Sequence, residues 1–182
     1  MLKDIEQLSE SITEKIAKIS LKFYRSRKFR LLSGIDKMDQ VEKDRIFNEI
    51  VISGVALAVL MFDTVAEQAD FQNRQQYFRQ LSLELNNRYG NWLMEIGADK
   101  ENAELFKKVI RMRTDEYRTY YNKYKKKVGK KKKVNVWIPI VTTGGFFHIT
   151  RGKPKDDSKN SYFLFFRDFI GNLSIVIIKS VI

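Results

Sequence analysis

Cysteine is absent and histidine occurs once, at His148, in a chain of 182 residues. Without thiols there is no disulfide framework, no thiolate nucleophile and no thiolate metal site. A single histidine likewise excludes any multi-histidine centre. Proline occurs twice, at Pro139 and Pro154, so no proline interrupts residues 1–138. Long apolar runs are also missing: between Glu49 and Asp63 lie thirteen uncharged residues, about 20 Å of helix at 1.5 Å per residue. A bilayer core needs about 20 apolar residues, and a run of 10–14 is more often a buried helix. Hydrophobic residues make up 43% of the chain, more than a disordered chain carries and fewer than a polytopic membrane protein. At this length folding withdraws about 70% of the unfolded surface from water, enough for a core without staples.

What the sequence does have is positive charge, and it is unevenly placed. The formal net charge is +12. Residues 1–120 hold 20 basic and 19 acidic side chains, whereas residues 121–182 hold 14 basic and 3 acidic. The excess centres on Lys123, Lys125, Lys126, Lys127, Lys130, Lys131, Lys132 and Lys133. A like-charge block of this density repels itself unless an anion neutralises it. Both prolines and five of the nine glycines also lie beyond residue 120, so composition changes near Gly129.

Before that boundary the apolar spacing is helical. Ile5, Leu8, Ile12, Ile16, Ile19 and Phe23 step by three or four, and the pattern runs to Leu32 before a stop at Ser33-Gly34. Asp39 and Glu42 resemble a capping box that opens a second helix, apolar on nearly every side from Ile50 to Phe62. Phe71, Phe78, Leu85 and Trp92 mark a third, ended by Gly97; Asp99 caps a fourth, carrying Phe106, Val109, Ile110, Tyr117, Tyr120, Tyr121, Tyr124 and Val128. A turn near Ala69–Gln72 separates the second helix from the third, because a compact core needs one there; one continuous rod is the alternative. The Glu49–Asp63 segment reads as a central core helix, with a partly inserted membrane segment as the other option.

Beyond the lysines, two β-prone runs flank Thr142-Thr143-Gly144-Gly145 and predict a hairpin over residues 134–149. Thr150–Ser161 is a polar loop. The residues from Tyr162 to Ile182 form either short strands, the favoured reading, or one apolar helix. An exposed tail this apolar would aggregate, so it must pack on the bundle, a partner or lipid.

Chemistry-bearing patterns are few. His148, beside Phe146, Phe147 and Ile149, reads as a half-buried structural histidine rather than a general base, which needs a positioned partner. Asp63, Glu67 and Asp70 share a helical face, but no Glu-x-x-His partners exist for a di-metal bundle site, so they read as a solvated acidic face. Thr142–Gly145 lacks the Gly-Lys-Ser/Thr of a phosphate loop, and no Gly-x-Ser-x-Gly elbow occurs. The chain therefore reads as a non-enzyme with no catalytic residue, cofactor or metal. What remains is a binding surface: the eight lysines against an anionic surface, with Trp137, Phe146 and Phe147 as apolar contacts. An anionic membrane fits a polybasic stretch flanked by aromatic sequence, at about 1 kcal/mol per basic residue. Nucleic acid is the alternative, with Tyr117, Tyr120, Tyr121, Tyr124 and Trp137 available to stack on bases. A solvated lysine linker without a ligand is the third reading.

Two stretches, LKFYRSRKFRLLSGIDKM over Leu21–Met38 and LMFDTVAEQADFQNRQQYFRQLSLEL over Leu60–Leu85, carry a family likeness. Their order, a basic-aromatic helix, an apolar span running into Phe62-Asp63, then a long amphipathic helix, resembles the SLATT family of small bacterial effectors with two membrane helices. The resemblance covers about residues 21–96 and implies a pore-forming or membrane-perturbing role in anti-phage defence, triggered by nucleotide-signalling partners. The chain departs from the family where the first membrane helix would fall, between Lys37 and Asn48, which here reads DQVEKDRIF.

The expectation is thus a mainly α fold: about four long antiparallel helices over residues 1–128, then a lysine-rich hinge and apolar appendage over 129–182. Met-Leu-Lys-Asp-Ile does not open a signal peptide, which places the chain in the cytoplasm or on the cytoplasmic face of a membrane. The expected partners are an anionic membrane or nucleic acid, with a second copy of the chain, or a protein that covers the apolar tail, as further options.

Overall fold

The computed structural model describes residues 3–128, 134–152 and 160–181. Lys130–Lys133 and most of the Thr150–Ser161 loop lie outside the described residues. Within them there are seven α-helices and no strand. They are α1 (Ile5–Arg25), α2 (Arg27–Ser33), α3 (Gln40–Gln68), α4 (Gln72–Glu95), α5 (Lys100–Val128), α6 (Trp137–Ile149) and α7 (Ser161–Val181).

Side-chain caps set several of the helix starts. Asp4, Asp39 and Asp99 each accept a hydrogen bond from the backbone N–H three residues on, at 2.9, 2.8 and 2.8 Å. Such a cap is worth about 1 kcal/mol because it satisfies an otherwise orphaned donor. Gly34, at φ 66°, closes α2 in the left-handed region, and the α3–α4 turn falls at residues 69–71 as the spacing predicts. One break went unread: the helix predicted to reach Leu32 is interrupted at Ser26, whose hydroxyl accepts from the Phe29 N–H at 3.2 Å and starts α2 afresh.

The C-terminal third corrects the strand reading. Gly144-Gly145 is the middle of a helix rather than a hairpin turn. Pro139 sits in the first turn of α6, where its missing N–H costs nothing. The Thr142 and Thr143 hydroxyls donate back to the carbonyls of Ile138 and Pro139, at 2.7 and 2.9 Å, so the threonines satisfy themselves within the helix. The two glycines permit close approach. A Cβ on Gly144 would lie 2.2 Å from Tyr117 Cε1, and one on Gly145 would lie 2.5 Å from Ser53 Oγ.

α3 is the axis of the molecule. Its Gly54 abuts Ile16 of α1 and Leu173 of α7; Phe62 stacks on Phe78 of α4; Glu49 pairs with Arg113 of α5; and Trp137 of α6 donates to Thr64 at 2.7 Å. The core is continuous across residue 128: Trp137, Phe146, Phe166 and Leu173 are buried in one cluster with Ile50, Leu57 and Leu60. The change near Gly129 is therefore one of charge, while packing carries on through α6 and α7. Both α3 and α7 are long and apolar enough to cross a membrane, with mean hydropathy 1.9 and 1.5, but 89% of the α3 window is covered by protein against 33% of the α7 window.

Two glycine substitutions separate close packing from an open helical position. Gly144→Ala drives a methyl into the buried Tyr117 ring and lowers unfolding free energy by about 1–3 kcal/mol. Gly171→Ala, where a Cβ meets nothing within 4 Å, raises it by about 0.5–1 kcal/mol through helix propensity. Urea unfolding followed by circular dichroism reads both, and a neutral Gly144→Ala result contradicts the α5–α6 packing.

Candidate functional site

The lysine block begins on α5, so the surface it shares with its neighbours is the place to look. α5 and α6 run antiparallel: Glu116 meets His148, Tyr117 meets Gly144, and Tyr121 contacts Trp137. Along their seam lies a cavity of about 310 Å³ lined by Tyr120, Pro139, Ile140, Thr143, Gly144 and Phe147. Among the described residues its lining is apolar apart from two hydroxyls, and both are already engaged. Thr143 donates to the Pro139 carbonyl at 2.9 Å, and Tyr120 donates to Glu116 Oε1 at 2.8 Å. Phe147 is 41% exposed and Tyr120 37%, so the two rings form an open rim rather than a sealed void.

Lys123 is exposed and follows Tyr120 by three residues, which puts the two on one face of α5. Lys125, Lys126 and Lys127 continue the same helix. This end of α5 meets the N-terminus of α6, where no side chain caps the first turn, so the positive end of that helix dipole adds to the lysine charge. On the opposite flank of α6, Ile138 lines a second depression with Gly171, Ile175 and Ile178 of α7, and the last two are 50% and 38% exposed. Asn135, Asp168, Asn172 and Ser174 line the same depression, so this flank of α6 is mixed polar and apolar, whereas the α5–α6 seam is mainly apolar.

Of the three aromatic residues predicted as apolar contacts, the structure exposes one. Trp137 (1% exposed) and Phe146 (2%) are interior, and only Phe147 reaches the rim. Tyr117 and Tyr121 are buried as well, so they are withdrawn from any stacking role. Sequence reasoning missed Pro139, Ile140, Thr143 and Gly144, because a hairpin would not have aligned them on one face; only a helix brings residues spaced i, i+1, i+4, i+5 together.

A polar ladder between α3, α5 and α6 fixes the seam. Arg113 donates to both oxygens of Glu49, at 2.7 and 3.2 Å, and its other nitrogen lies 3.6 Å from Glu116. Glu116 Oε2 is 2.8 Å from His148 Nε2, and an ionised carboxylate can only accept, so Nε2–H donates. His148 is half-buried, and its partner is the Glu116 carboxylate. Further along, Arg45 donates to the His148 and Ile149 carbonyls at 2.7 and 2.9 Å, closing the C-terminal end of α6. Arg45 is itself held by Glu42, which also pairs with Arg151. The Arg45 guanidinium, helped by Arg151, lowers the Glu42 carboxyl to about 2.

The acidic trio corrects the solvated-face reading in one member. Asp63 accepts from Ser82 at 2.6 Å and from Arg118, which turns it inward, while Glu67 and Asp70 are exposed and Asp70 lies past the end of α3. Among the described residues no three carboxylate or histidine side chains gather as a metal site would require. Compared with protein-family models, with curated proteins and with solved structures, the chain matches none.

Two measurements probe the ladder. Glu49→Ala leaves the largely buried Arg113 with only Glu116, 3.6 Å away, as counter-charge and lowers stability by about 3 kcal/mol, whereas the paired change Glu49→Leu with Arg113→Met recovers most of it. The Glu42 contribution depends on pH. Its folded pKa lies below the unfolded one, so the stabilisation is full above about 4.5 and fades as pH falls toward about 2. It amounts to roughly 2 kcal/mol, allowing for the solvent around Arg151. Glu42→Gln therefore flattens the acid limb of a stability–pH curve between those values, and an unchanged limb contradicts the assignment.

Proposed function

We propose that this protein is a non-enzymatic helical module that associates with an anionic membrane surface through the lysine-bearing end of α5 and the apolar relief beside it. The observation that carries this reading is the juxtaposition of the exposed Lys123 with an open apolar cleft rimmed by Tyr120 and Phe147. A solvated linker has no use for apolar surface next to its charge. A lipid headgroup layer presents both phosphate charge and acyl chain within a few ångströms, and a basic segment with aromatic neighbours answers both. The exposed Ile175 and Ile178 on the other flank of α6 enlarge the apolar contact.

Nucleic acid is the weaker reading. Single-strand binders combine charge with exposed aromatic platforms, and Tyr117, Tyr121 and Trp137 are buried. The pore-forming role implied by the SLATT resemblance requires helices bared to lipid, whereas α3, which stands where the apolar span would be, is covered by protein. Surface association asks for no such rearrangement.

Vesicle flotation tests the proposal. With vesicles of phosphatidylcholine and phosphatidylserine at low salt the protein floats, and with phosphatidylcholine alone it does not. Raising salt to about 0.5 M weakens binding but leaves an apolar residue of it. Replacing the eight lysines by glutamine lowers flotation at low salt to the level that the parent keeps at about 0.5 M salt. A protein that stays at the bottom of the gradient with anionic vesicles at low salt ends the proposal. If oligonucleotide binds in its place, with a log–log salt slope of several phosphate contacts, nucleic acid takes over.

A further inference from the structure

We infer that the α5–α6 cleft is a binding site for a single alkyl chain of an anionic amphiphile, its charged head lying toward Lys123. The inference rests on the membrane reading above and names what the cleft takes from that membrane. Three observations support it. The cavity, about 310 Å³, is at the small end of the range for ligand sites, and it is a channel along a helix seam rather than a sealed void. Its walls are Pro139, Ile140, Gly144 and the rings of Tyr120 and Phe147, and its two hydroxyls are already bonded, so an alkyl chain strands no polar group. At the α6 N-terminal end of the seam stand the exposed Lys123 and an uncapped positive helix end, which suit a carboxylate, sulfate or phosphate head and disfavour a cationic one.

The probe is sodium dodecanoate, kept below its micelle concentration and titrated calorimetrically into the full chain. Affinity should rise by up to about fourfold per methylene from octanoate to dodecanoate, since each methylene leaves water, and then level off once the cleft is full. Dodecanol should bind several-fold more weakly than dodecanoate, and Lys123→Glu should remove that difference. Thr143→Trp, at an exposed position on the cleft wall, should block binding at least tenfold while Thr143→Ala preserves it. In case Thr143→Trp disturbs α6, a second readout uses a native tryptophan behind the wall: in a Trp92→Phe background, 2-bromododecanoate, whose bromine lies beside the head group, should quench the fluorescence of Trp137, two residues from Pro139.

The inference falls if dodecanoate binds without chain-length dependence, if Thr143→Trp binds it as tightly as the parent, or if Trp137 is not quenched. Vesicle flotation that persists in Thr143→Trp, with no dodecanoate binding to the parent, overturns the cleft and leaves surface association standing. Dodecanoate binding without flotation does the reverse.

Discussion

A helix that is apolar on every side has no face to give to water, and this constraint organises the molecule. From Ile50 to Phe62 every residue of α3 is buried. Sheathing it takes helices on all sides, and α1, α4, α5, α6 and α7 supply them. Because α3 carries the apolar load all round, α1, α4 and α5 need only one apolar stripe each and keep a polar face for solvent, whereas α6 and α7 leave apolar side chains such as Phe147 and Ile175 exposed. The same enclosure makes the polar groups of α3 demanding, since a buried polar atom without a partner costs more than a hydrogen bond returns. Ser53 donates back to the Glu49 carbonyl at 2.7 Å, Thr64 receives the indole N–H of Trp137, and Glu49 and Asp63 are met by Arg113 and Arg118. These bonds also set the depth of α5 and α6 along α3, which a purely greasy contact would leave free to slide.

The cleft follows from that arrangement. Glu49 and Asp63 draw Arg113 and Arg118 inward, and Tyr117, between them, is pressed into the interior against Gly144. That contact is possible only because Gly144 has no side chain. One turn further along α5, Tyr120 is rotated away from α3 and lines the cavity with Pro139, Ile140, Thr143, Gly144 and Phe147. Among the described residues the space outside the Tyr117–Gly144 contact stays open. The open groove is therefore a by-product of the closest packing in the core, and the side chains that define it are held from behind by ion pairs.

Much of the bundle was legible because its signals are local. Asp39, Asp99, Gly34 and the three- and four-residue apolar steps of α1 act within one or two turns, and the structure uses them as read; the capping box is made only on the Asp39 side, because Glu42 turns to Arg45 and Arg151. The C-terminal third was not legible for two reasons. In α6 the residues are apolar around the whole circumference, so no periodicity distinguishes helix from strand. Gly144-Gly145 is also ambiguous, since the same residues serve a turn and a close helix crossing; what decides is Tyr117, about 27 residues earlier and invisible to any local window. The aromatic residues next to the lysines looked like a surface group for the same reason. Once α6 is a helix, Trp137 and Phe146 turn toward α3 and Phe147 turns away. The ion pair of Glu49 with Arg113 spans 64 residues and depends on the tertiary fold alone.

The two kinds of positive charge divide the work. The ion pairs that join one part of the fold to another use arginine: Arg88 with Glu10, Arg113 with Glu49, Arg118 with Asp63, Arg151 with Glu42. A planar, weakly hydrated guanidinium tolerates partial burial and holds a carboxylate in a fixed fork. The block from Lys123 to Lys133 contains no arginine. Lysine is a strongly hydrated point charge on a flexible stem, poor at fixed geometry and well suited to a diffuse anionic layer that offers no particular geometry to read. Lys123 lies only about 4.5 Å of helix rise beyond Tyr120. An anion drawn to it thus arrives at the cleft well within the ~10 Å over which its charge acts in salt. Long-range attraction without specificity and short-range apolar contact without charge meet at one end of the bundle, and the proposed membrane association draws on both.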